Sequence, residues 1–199
     1  MTSAIDICNL ALSRLGDDAT VSSIDPPEGS PQAEHCARFW PLARGIILAS
    51  HEWGFATCTK ALAQFSEAPV GWLYAYSLPS DYVKVVRVTG PAADIPADYE
   101  IGLATAGNTI LLTNQPQALL MYVANVIDTV RYPALFIDAL AWLLASHLAG
   151  PLIKGESGAQ AAQTAYRAYA GVLSAAVAAD IQQHRPASLG VRTPWIEDR

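Results

Sequence analysis

The sequence predicts a mainly α protein: an antiparallel helical bundle with a small antiparallel β-sheet inserted between the second and third main helices, and an extended C-terminal tail. Three observations predict it. Apolar residues recur at spacings of three and four in segments towards both ends of the chain, the period of a half-buried helix. Between Trp72 and about residue 127 the period falls to two, and β-branched and aromatic residues accumulate. Beyond His184 no period survives. The expected organisation is one domain over residues 1–184, with helices in 3–50 and 133–184 and the β insertion at about 72–127, followed by an arm at 185–199. A chain of 199 residues, 52% of them apolar, is long enough to bury one core.

Taken in order, Ser3 is placed to cap the first helix with Asp6 three residues on, and Ile5, Cys8, Leu12 and Leu15 share a face before Gly16 stops it. The loop "DDATVSSIDPPEGS" clusters Asp, Ser, Pro and Gly. Ser30-Pro31 opens the second helix, because proline at the first helical position gives up a donor that has no partner there. Ala33, Ala37, Trp40 and Arg44 share one of its faces, and Pro41 should bend it. Strands are expected in "YVKVVRVT" from Tyr82, "YEIGLAT" from Tyr99, "NTILLTN" from Asn108 and "ALLMYVANVI" from Ala118, giving one sheet of three or four strands. The third helix runs from Pro133 to about Gly150-Pro151. The last starts near Ser157 and carries Ala162, Tyr166, Tyr169, Leu173, Ala176, Val177 and Ile181 at helical spacing.

Charge and composition narrow the function classes. A net charge of -6, with no run of Lys or Arg, speaks against a protein that grips nucleic acid through its phosphates. Cys8, Cys36 and Cys58 fit neither a disulfide framework nor zinc-ligand spacing, and read as small buried residues in a reducing cell. "MTSAIDICNL" lacks a basic stretch followed by an apolar one, so no secretory signal is expected. "PALFIDALAWLLASHLAGPLI" nearly has the length of a membrane span. Asp138, His147 and the Gly150-Pro151 break favour a buried helix, and no membrane partner is expected.

"HEWGFATCTKAL" opens His-Glu as a zinc-protease helix does. Such a site needs a second histidine four residues after His51, and that position is Phe55. His35, His147 and His184 are solitary, so no metal is expected; His51 and Glu52 end the second helix, and Trp53 and Phe55 are structural anchors where the chain turns away. Asp17, Asp18, Asp25 and Glu28 offer carboxylates for a glycosidase pair, though in a loop of this composition they read as solvated surface. There is no nucleophile elbow, phosphate loop or dinucleotide fingerprint, hence no catalytic residue and no cofactor in this reading. The tail carries Leu189, Val191, Trp195 and Ile196 among prolines. It reads as an arm that orders on a partner, with those four residues as the contacts to that partner or to a neighbouring subunit.

"IDICNLALSRLGDDATVSSID" with "GSPQAEHCARFWPLARGIILASHEWGFAT" resembles the N-terminal half of the head-to-tail connector, or adaptor, proteins of tailed phages, the group called tail tubular protein A or tail accessory factor. "WLYAYSLPSDYVKVVRV" and "YPALFIDALAWLLASHLAGPL" are similar to that family's segment leading into its first strand and to its third main helix. The resemblance spans about residues 3–180. It implies a non-enzymatic protein of the bacteriophage virion, located at the head–tail interface and in the host cytoplasm during assembly. It further implies a ring, usually of twelve copies, that docks on the portal protein, receives the downstream tail protein (a nozzle or tail-completion component) and leaves a channel for genomic DNA without binding it specifically. Leu189, Val191, Trp195 and Ile196 would then be the portal- or neighbour-binding arm. The alternative is a virion-associated peptidoglycan hydrolase working through the acidic-loop carboxylates.

Overall fold

The computed structural model describes residues 2–91, 95–104 and 107–183. Four helices, α1 (Ala4–Ser13), α2 (Pro31–Ser50), α3 (Ala134–Ile153) and α4 (Gly155–Gln183), surround one core. Six strands lie between α2 and α3: β1 (Thr57–Ala61), β2 (Tyr74–Ser77), β3 (Tyr82–Thr89), β4 (Tyr99–Leu103), β5 (Thr109–Thr113) and β6 (Leu119–Ala124). They form two three-stranded antiparallel sheets, ordered β1-β6-β3 and β2-β5-β4. The architecture is therefore mixed α/β, 46% helix and 20% strand among the described residues, and corrects the expectation of a mainly α bundle with one small sheet. Two causes account for the difference. β1, "TCTKA", is mostly exposed, which also corrects the expectation of a buried Cys58, and has no apolar alternation to announce it; a period of two, in turn, marks a strand without saying which strand it pairs with.

The helices form for local reasons. Ser3 and Asp6 make a reciprocal capping box on α1: the Ser3 hydroxyl accepts from the Asp6 N–H at 3.1 Å, and the Asp6 carboxylate accepts from the Ser3 N–H at 2.8 Å. Ser30 caps α2 through the Ala33 N–H, and α2 continues through Pro41 to Ser50. α3 carries nine buried residues spread around its circumference, because α1, α2 and α4 all pack on it. Among the described residues it is the one helix long and apolar enough to cross a membrane, and half of its most apolar window is buried inside this bundle. Arg14 ties α1 to α3, donating to the Asp138 carbonyl at 2.8 Å and to the Asp138 carboxylate, with its guanidinium 4.3 Å from the centre of the Trp142 ring.

α3 runs past Gly150-Pro151 to Ile153, and α4 begins at Gly155, two residues ahead of the expected Ser157. Pro151 lies in the last turn of α3 and forfeits one backbone bond without ending the helix. The reversal is made by Lys154 and Gly155, with φ of 59° and 64°. Gly158 then allows the two helices to touch: a Cβ at this position would stand 3.2 Å from the Ala149 carbonyl oxygen.

The sheets stack on the bundle as successive layers. Val83, Val86 and Val123 of the first sheet pack on the helical core. Its opposite face, with Val88, Leu120 and Tyr122, packs on Tyr76 and Leu111 of the second sheet. Two register shifts in β3, between Tyr82 and Lys84 and between Val85 and Arg87, turn its period of two into roughly three. Tyr82, Val85 and Val88 consequently face the second sheet while Val83 and Val86 face the helices. Backbone bonds stitch the sheets at both seams: Phe65 to Ala75 and Ser77 to Ala63 on one side, and Ala97 to Val88 on the other. Gly107, at φ 82°, donates its N–H to the Ala104 carbonyl where β4 gives way to β5.

His35, Phe39 and His147 stack between α2 and α3, with ring centroids 6.3 and 5.7 Å apart. His147 Nε2 is buried without a hydrogen-bond partner, and burial lowers the pKa of this histidine below its ordinary 6.5. The unfolded chain then takes up the proton first. The contribution to stability is fully present above the unfolded value and is lost as pH falls through the lower folded value. Urea midpoints taken from about pH 8 to about pH 5 are expected to fall on the acid side, with a shallower fall in His147→Met. Leu120→Ala, at a fully buried position between the sheets, is expected to cost about 2–5 kcal/mol in the same urea measurement.

Candidate functional site

At the end of α2 the chain leaves the helix through His51, which is extended at φ −148° and ψ 164°. Trp53 folds back under the last turn. Its indole N–H donates to the Ile47 carbonyl at 2.7 Å, satisfying one of the carbonyls that a helix C-terminus leaves without a partner. The Trp53 carbonyl in turn accepts from the Thr57 N–H and hydroxyl, both at 2.8 Å, and starts β1. Trp53 is 1% exposed. Its ring meets Phe136 edge to face at 5.0 Å, and Phe55 meets Phe136 at 4.9 Å. Tyr132, 4.8 Å from Phe136, completes the cluster and donates to the Val126 carbonyl, while burial pushes its phenol up to about 12.

Asp180, in the last turn of α4, reaches into the same junction. Its carboxylate accepts from the Gly54 N–H at 3.1 and 3.2 Å and lies 3.1 Å from His51 Nε2. Asp180 is one of the few polar residues buried in the described structure. A buried carboxylate is tolerated when its lone pairs are taken up, and these contacts do so. Beside the junction is a pocket of about 180 Å³ lined by Trp53, Leu135, Phe136, Ala176 and Ala179, with Asp180 and Gln183 as the polar members of its lining. It offers no nucleophile and no pair of titratable groups held apart for acid–base work. It can take an apolar side chain.

The sequence-derived site residues divide as follows. Trp53 and Phe55 lie in the aromatic cluster, and the Phe55 ring occupies the position a zincin would give to its second histidine. Among the described residues no group of three or more His, Cys, Asp or Glu side chains is placed to hold a metal. Leu189, Val191, Trp195 and Ile196 lie outside the described residues, as does His184. The acidic loop is organised by its own turns: Asp17 accepts from the Ala19 N–H and the Gln32 amide, and Glu28 accepts from Ser22 and Ser30. Hydrogen bonds from Ser22 and Ser30 hold the Glu28 carboxyl below its ordinary range, the opposite of what a general acid requires.

Sequence reading missed Asp180, Tyr132 and Phe136 as members of this junction. A signal for Asp180 was present. It stands four residues after Ala176 on the face of α4 that carries Ala165, Tyr169 and Ala176, where an unpaired acid has no place. Its partners, 126 to 129 positions away, leave no local trace. Compared with family models and with curated proteins, the sequence matches none.

Trp53→Ala is expected to lose about 3–5 kcal/mol through transfer energy and a cavity, measured by chemical denaturation. Asp180→Ala, which strands the Gly54 N–H, is expected to cost about 1–3 kcal/mol, and Asp180→Asn less because the amide oxygen still accepts. Thermal melts with zinc or with EDTA should coincide; a chelator-induced drop of several degrees would contradict the structural account of His51 and Phe55.

Proposed function

We propose that this chain is a structural adaptor of a tailed phage: a ring-forming subunit that docks under the portal protein, presents a platform to the next tail component and leaves a channel for DNA. The observation that carries the reading is the resemblance of its α1, α2, His51–Phe55 and α3 segments to head-to-tail connector proteins. These segments pack as one core, with the aromatic cluster at the point where they meet. The resemblance thus falls on the parts that build the subunit.

Two surface features support the same reading. The outward face of α4 exposes Tyr166 and Ile181, each 57% accessible, among Ala170, Gly171, Ser174 and Ala178, with Arg167 as the charged residue of that stretch. A long helix face so poor in charge suits packing against another copy. A net charge of -6 with no basic run suits a wall past which DNA slides, because it offers no anchorage for phosphates. The arm at 185–199, through Leu189, Val191, Trp195 and Ile196, makes the portal or neighbour contact.

The test is assembly. Light scattering of the purified chain at low micromolar concentration is expected to show single copies. Mixing it with the portal protein of the same phage is expected to give portal particles bearing one added ring in electron micrographs. Portal particles that stay bare at saturating adaptor would overturn the proposal. Large rings formed without portal would overturn only the order of assembly.

A further inference from the structure

We infer that the pocket beside Trp53 and Asp180 is the receptor for the C-terminal arm of a second copy of this chain, with Trp195 as the inserted side chain. The inference rests on the ring-forming reading and names the contact by which one subunit takes hold of the next.

The pocket has the size and chemistry for one aromatic side chain. A cavity of about 150 Å³ lined by aliphatic and aromatic groups admits a benzene ring; this one is about 180 Å³, open to the surface, and walled by Trp53, Leu135, Phe136 and Ala176. Leu135 is 40% exposed, so apolar lining reaches solvent. The Gln183 side chain supplies an acceptor for an indole N–H at a site that is otherwise mostly apolar.

Chain length permits a neighbour's arm to fit. Gln183 lines the pocket and is the last described residue, so the arm departs from the pocket's own wall. Trp195 lies twelve positions further on and can reach ~40 Å when extended. A compact domain of this length is itself ~40 Å across. Fully extended, the arm has the reach to cross one subunit to the same pocket on the next copy, while a return to its own pocket requires a reversal within twelve residues. Charge agrees: residues 184–199 hold three arginines against Glu197 and Asp198, on a chain whose net charge is -6. Arm and pocket are different surfaces, so each contact is head-to-tail, and repetition closes a ring when the rotation permits.

The full-length chain with exposed Cys58 replaced (Cys58→Ser) allows a direct test. One preparation carries Ala179→Cys, another Thr193→Cys, which keeps Trp195 and lies two positions from it, and the two are mixed under mild oxidation with portal protein present. Where Ala179→Cys does not fold, Leu135→Cys at the exposed rim replaces it. A covalent heterodimer at least ten-fold above that of either preparation alone is expected, suppressed by excess synthetic peptide of residues 184–199. A chain carrying both cysteines that links only to itself, with no heterodimer in the mixture, would overturn the inference in favour of an arm folded on its own subunit. Rings on the portal with no cross-link in either format would overturn it while leaving the adaptor reading intact. Absence of rings from the parent chain would remove both.

Discussion

The junction around Asp180 is the constraint on which the rest of the molecule depends. One carboxylate in the last turn of α4 takes the Gly54 N–H and faces His51, while Trp53 closes the C-terminus of α2 and lies against Phe136 at the start of α3. Three helix ends and the start of the β region are held at one point. A buried carboxylate without those donors would have to give up its charge or its burial, so the contact selects a single register for α4 along α3. That register also brings Gly158 against Ala149 and places the pocket wall formed by Ala176 and Ala179.

The β region obeys a different rule. Its first sheet has helices on one face and the second sheet on the other, so β3 and β6 need apolar residues in both directions, and strict alternation gives way. The bulges in β3 let Tyr82, Val85 and Val88 serve one core and Val83 and Val86 the other. Stitching at both seams pairs part of the strand edges that two small sheets would otherwise expose.

Three buried ionisable groups among the described residues serve packing: Asp180 as a tie, Tyr132 as a capped phenol, and His147 as a neutral ring in a stack. In the acidic loop, which composition alone allowed as a catalytic pair, the Asp17 and Glu28 carboxylates are taken up by Ala19, Gln32, Ser22 and Ser30. The charge-poor face of α4 and the pocket beside Trp53 both lie at the surface.

The sequence by itself determined the elements whose signals are local. Ser3 with Asp6, Ser30 with Pro31, the long apolar stretch of α3 and the Ala-rich period of α4 specified four helices, because capping and amphipathic spacing act within a few residues. It also placed four of the six strands and showed that Phe55 stands where a metal site would need histidine. The tertiary structure alone decided that the strands divide into two sheets, that β1 and β2 exist, and that Asp180 meets His51 and Phe136 meets Trp53. Strand pairing and buried ion contacts join residues more than a hundred positions apart, or strands whose order is set by what packs above and below them, and neither leaves a period in the chain.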